Sequence, residues 1–111
     1  MVKIATHETS EKEDALLSAI DESFAALCSV SVRDSFYEFL DKDFNLKRNE
    51  IPSNLDLFVE ALEKATGPRP SRVIMKNVLG RLYAKLGFEF DPMHFGRQSF
   101  PDWVKALVRS G

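Results

Sequence analysis

Apolar side chains recur at spacings of three and four along most of this chain, and no stretch alternates long enough to pair as a sheet. That period places each apolar set on one stripe of an α-helix, so the chain must bury stripe against stripe. Leu16, Leu17, Ile20, Phe24, Leu27 and Cys28 form the first stripe, with Glu11, Asp14, Asp21 and Glu22 on the opposite face. Ser10-Glu11-Lys12-Glu13 reads as a capping box that starts this helix. Val32, Phe36, Phe39, Leu40 and Phe44 form the second stripe, opened by Ser31 and Asp34.

Pro52 biases Ile51 toward an extended conformation, and Ser53 or Asn54 supplies the cap of a third helix that buries Leu55, Phe58, Val59, Leu62 and Ala65. Gly67 ends it, and Gly67-Pro68-Arg69-Pro70 reads as a stiff hinge. A fourth helix is predicted over about 72–86, capped by Ser71 and stopped by Gly87. It carries Ile74, Met75, Val78, Leu79, Leu82 and Leu86 on one face and Val73, Asn77, Gly80 and Ala84 nearly opposite. A glycine inside a helix costs about 1 kcal/mol relative to alanine, which predicts a second backbone against Gly80 and makes this helix central. Residues 88–98 read as a loop pinned by aromatics. Ser99, Pro101 and Asp102 then open a last helix with Phe100, Trp103, Val104 and Leu107 inside.

The expected fold is an all-α, single-domain bundle of about five helices, with residues 1–9 as an N-terminal tail and 10–111 as the domain. The early residues turn polar too soon for a signal peptide, and no apolar run approaches a membrane span, so a cytoplasmic protein without membrane contact is expected. Cys28, the only cysteine, is expected to pack as a buried thiol.

Charge divides by position. Residues 1–66 carry 7 Lys/Arg against 14 Asp/Glu, and residues 67–111 carry 8 against 3, so a net charge of −2 hides halves of −7 and +5. On the fourth helix the cations fall on two flanks, Arg72 and Lys76 on one and Arg81 and Lys85 on the other. Such flanks pair with the acidic helices, stay solvated, or meet an acidic partner.

Motifs for catalysis are missing. Asp41 to Pro52 offers oxygens at calcium-loop positions, but Leu46 stands where the sharp turn needs glycine and Pro52 where a bidentate glutamate would close the site. His7 and His94, the two histidines, lie outside the predicted helices, and zinc would need more ligands than they and Cys28 supply. No phosphate loop or serine elbow is present. The chain therefore reads as a non-enzyme that needs no cofactor.

Phe36-Tyr37-Glu38-Phe39-Leu40, then Leu46 to Pro52, then Arg81-Leu82-Tyr83-Ala84-Lys85-Leu86-Gly87 carry a resemblance to a family of small, mostly archaeal helical proteins of unknown function. Members similarly show a short helix ending in a "GL-K-EIP" type turn, a further helix, a glycine-containing junction, and a basic helix ending in "LY-KLG". The likeness covers roughly residues 10–90, and this chain has Pro68 and Pro70 where the family has a glycine-rich junction. The resemblance implies a fold and no catalytic residues.

The function expected from these features is a helical protein–protein interaction or regulatory module, with a second copy of the chain among its partners. The candidate contacts are the basic Arg69, Arg72, Lys76, Arg81 and Lys85, the small Gly80 and Ala84, and the aromatic Phe95 and Trp103. A nucleic-acid-binding accessory role through the basic residues after Gly67 is the alternative. A small-ligand-binding helical domain, suggested by the aromatic-rich end, is the second alternative.

Overall fold

The computed structural model describes the backbone of residues 3–109 and the side chains of residues 11–107. The helical periods become five α-helices: α1 (Lys3–Leu27), α2 (Val30–Phe44), α3 (Leu55–Thr66), α4 (Pro68–Lys85) and α5 (Phe100–Arg109). Short 3-10 turns at Arg48–Ser53 and Pro92–Arg97 join them. α4 is the central helix, packed by α1, α3 and α5. Its predicted inner face supplies Ile74, Met75, Val78, Leu79 and Leu82, all buried, while Leu86 is half-buried.

A continuous ring chain ties the outer helices together. Phe24 of α1 stacks on Phe36 of α2 at 5.0 Å, Phe36 meets Phe58 of α3 edge-on at 5.9 Å, and Phe58 touches Phe100 of α5 at 5.9 Å. Each ring removes a large apolar area from water, and offset or edge contacts add to that burial. The core therefore spans four helices before α4 is counted.

Several boundaries differ from the sequence expectation, for local reasons. α1 is already helical at Lys3, so Ser10 lies inside the helix and the Ser10–Glu13 box does not start it. α2 is capped by Ser29, whose Oγ accepts from the Val32 amide at 3.1 Å, because the corner from α1 is tighter than a Ser31 cap allows. Asn54 does precede α3, yet its side-chain amide donates to the Glu50 carbonyl at 3.0 Å and caps nothing. Ser99 acts as expected, accepting from the Asp102 amide at 3.3 Å.

The largest correction concerns Gly67-Pro68-Arg69-Pro70, which is no hinge. Gly67, at φ 92° and ψ 167°, both closes α3 and precedes α4, and Pro68 is the first residue of α4. First-turn amides have no intrahelical acceptor, so proline loses nothing there and its fixed φ suits the helix. Ser71 is then a buried first-turn residue whose hydroxyl donates to the Pro68 carbonyl at 3.0 Å.

Two further expectations fail at the α1–α2 corner and along α1. Leu27 and Cys28 are exposed, since the stripe that buries Leu16, Leu17, Ile20 and Phe24 runs past the end of the bundle. Asp21, placed on the solvent face by its period, instead accepts from the Tyr37 hydroxyl at 2.5 Å and from Arg48 Nη2 at 2.6 Å. Burial, and then the Asp21 carboxylate, hold the Tyr37 phenol well above its ordinary pKa, so it remains a donor. The Arg48–Ser53 turn is thereby fastened to α1, with Ile51 buried beneath it. In the segment tested for calcium, Asp41 faces Lys47 at 3.8 Å and Leu46 joins the core.

Candidate functional site

Among the described residues, no other helix covers the face of α4 opposite its core stripe. Val73, Asn77, Gly80 and Ala84 form the floor of an open groove of about 580 Å³, walled on one side by Phe88, Phe90 and Pro92 of the segment after α4. The close backbone contact expected at Gly80 is absent. A methyl group there would meet only Phe90 Cδ2, at 3.9 Å, an ordinary contact. The small residues leave room above the helix, and that room is open. Val73 is 56% exposed and Phe88 54%, so the groove presents apolar surface to solvent.

The wall is fixed by an aromatic cluster. Tyr83 lies 5.1 Å from Phe90 and 6.5 Å from Phe88, while Trp103 of α5 meets Tyr83 at 6.2 Å and Phe90 at 5.6 Å. The Trp103 indole N–H donates to the Phe95 carbonyl at 3.0 Å, pinning the Pro92–Arg97 turn to α5. Phe95 is buried and cannot itself touch a partner, and Trp103 is half-buried. Both candidate aromatics thus shape the site from behind. The exposed ring is Phe88, which sequence periodicity could not distinguish from its neighbours.

The two predicted flanks of α4 are present but electrostatically unequal. On the α1 side, Lys85 Nζ lies 2.6 Å from Glu22 Oε2 and Arg81 Nη1 lies 3.5 Å from Glu22 Oε1. The hydrogen bond from Lys85, helped by both positive charges, lowers the Glu22 pKa from its usual range. Arg81 Nε also donates to Asn77 Oδ1 at 2.7 Å, and the same oxygen accepts from the fully buried Ser23 hydroxyl at 2.9 Å. This flank is locked to α1 and keeps one net positive charge, because a single carboxylate answers two cations.

The other flank is built differently. The Arg72 guanidinium lies 5.0 Å and the Lys76 ammonium 5.9 Å from the centre of the Phe95 ring. Among the described residues no carboxylate pairs with either. Arg69, exposed in the first turn of α4, extends the same basic region along the sequence. Two cations held over one ring keep their charge for an external group, because a ring face attracts cations without neutralising them.

Of the candidate contacts, Lys76, Gly80, Arg81 and Ala84 line one groove, with Arg72 beside it and Lys85 on the flank paired to Glu22. Val73 and Asn77, from the small face of α4 that the sequence marked out, complete the lining with Phe88, Phe90 and Pro92 of the segment after it. His94 stands by Asp91 at 3.7 Å, well within the exposed turn, and His7 has no described side chain. Among the described residues, no three His, Cys, Asp or Glu gather as metal ligands would, and no helix is long and apolar enough to cross a membrane. Compared with protein-family models, curated proteins and solved structures, the chain matches none.

Proposed function

We propose that this protein is a non-enzymatic interaction module that docks a partner protein in the α4 groove. The observation that carries this reading is the groove itself: an uncovered apolar floor on the central helix, with a wall held by Tyr83, Trp103 and Phe90. An exposed, largely apolar concavity gains free energy when a partner removes it from water, at roughly 25 cal/mol per Å² of apolar area. The unpaired Arg72 and Lys76 beside it supply charge that selects among partners.

The test is capture from the native cell on immobilised wild type and on Ala84→Trp, which fills the groove from an exposed position. Each captured protein is then purified and titrated against both. A partner whose affinity falls at least tenfold with Ala84→Trp supports the reading. Partners that bind both forms equally overturn it. Light scattering at two salt concentrations reads self-association in the same samples; a dimer abolished by Ala84→Trp would make a second copy the partner.

Nucleic acid is the competing occupant, favoured by Arg72 and Lys76 alone. It predicts oligonucleotide binding that weakens steeply with salt and is lost in the Arg72→Glu, Lys76→Glu variant but not in Ala84→Trp.

A further inference from the structure

We infer that the segment taken by the groove is an amphipathic α-helix of about three turns with carboxylates along one edge, an inference that rests on the docking role proposed above. The length follows from the floor. Val73, Asn77, Gly80 and Ala84 follow one another along a single face of α4, and at 1.5 Å per residue they extend roughly 16 Å, three helical turns.

A helical occupant follows from the backbone. α4 spends its amides and carbonyls within the helix, and the described residues form no strand, so the groove has no sheet edge. An extended segment would bury its own polar backbone there without partners, at a cost comparable to lost hydrogen bonds. A helix satisfies its backbone internally. Gly80 and Ala84 also let a second helix axis approach closely, as small residues do wherever helices pack tightly.

Acidity, and its restriction to one edge, follow from the unequal flanks. Glu22 already pairs with both Arg81 and Lys85, so that side offers one net positive charge and a carboxylate placed there would also face the Glu22 charge. Arg72 and Lys76, held over Phe95, have no such answer among the described residues. A helix with Asp or Glu on the Arg72–Lys76 side and neutral residues on the Glu22 side favours one orientation, because its reversal trades two unanswered cations for a side where Glu22 already holds both.

Phage-displayed random 16-residue peptides, selected on the intact protein, provide the probe. The expected binders carry apolar residues at i, i+3 or i+4, and i+7 with an acidic excess. They should lose at least tenfold in affinity to Ala84→Trp and at least tenfold to Arg72→Glu, Lys76→Glu, and keep full affinity for the exposed control Lys42→Glu. Val73→Glu, at another exposed floor position, gives a second blocking variant, and circular dichroism verifies that each variant is folded. Groove-dependent binders lacking acidic excess, or indifferent to the charge reversal, overturn this inference and leave the docking role standing. Selections in which no binder depends on Ala84 or Val73 overturn both. Displacement of the selected peptides by an equimolar 20-nucleotide single strand would put a polyanion in their place and refute the helix.

Discussion

Replacing Asn77 with alanine should destabilise the protein through a residue it does not replace. Ser23 is fully buried on α1, and its hydroxyl donates to Asn77 Oδ1 at 2.9 Å; that oxygen also accepts from Arg81 Nε at 2.7 Å. Loss of the carboxamide leaves a buried hydroxyl unpaired, which costs about 1–3 kcal/mol. Arg81 keeps Glu22 and is partly solvated, so its loss adds less than about 1 kcal/mol. Ser23→Ala removes the hydroxyl together with its need for a partner and should cost only about 0.5–1.5 kcal/mol, the net value of one hydrogen bond. In the Ser23→Ala background, Asn77→Ala should then cost about 1–2 kcal/mol less than it does alone. Urea unfolding of the four proteins, followed by circular dichroism at 222 nm, measures this cycle. With total stability of order 5–15 kcal/mol, the single Asn77→Ala effect is readily resolved. A coupling below about 0.3 kcal/mol would refute the reasoning. It would mean that Ser23 turns its hydroxyl to the Ala19 carbonyl one turn back and that Asn77 does not join α1 to α4.

Gly67→Ala should cost about 1–3 kcal/mol, because φ 92° with ψ 167° is a region only glycine occupies easily; an unchanged thermal midpoint would contradict the junction geometry. Glu22 has a lowered folded-state pKa, so the stability it contributes is fully present above its unfolded pKa and is lost as pH falls through the folded value. Glu22→Gln should therefore differ from wild type by no more than about 1 kcal/mol at pH 7, and the difference should shrink toward zero in unfolding curves taken below pH 3. Cys28 should react with a thiol reagent in the native protein at nearly the rate measured in denaturant, and protection of more than about a hundredfold would place it back in the core.

Periodicity made the bundle legible where a stripe faces a neighbour along its whole length. In α4 the register of Ile74 to Leu82 fixed the buried face and, by subtraction, the two cationic flanks. In α1 the same rule overreached, since a period identifies a face and says nothing of where the neighbouring helix stops; Leu27 and Cys28 lie past that point. Pro68 and Pro70 misled because proline interrupts a helix interior but suits a first turn, and local sequence does not tell which turn it occupies. The Gly80 and Ala84 stripe was visible, yet small residues serve equally to admit a packed backbone and to leave a groove. Choosing between them needed the position of Phe88 to Pro92, residues whose placement depends on contacts with Tyr83 and Trp103 far from any periodic signal. Asp21 was hidden for a related reason: its partners, Tyr37 and Arg48, come from two other elements.

Gly67 serves two helices at once, and this makes the α3–α4 corner intolerant of changes in chain length. One residue inserted there and absorbed as helix would turn α4 by about 100°, since 3.6 residues complete a turn. The core stripe would turn away from α3, against which α4 packs, and the groove would rotate away from the wall that gives it shape. Insertions in the exposed turns near Asn49 or Met93 would disturb the Arg48–Asp21 tie or the groove wall locally, but would leave the register of every helix in place. Length variation among descendants of this chain should therefore accumulate at those turns and spare the junction, whatever residues come to occupy the groove.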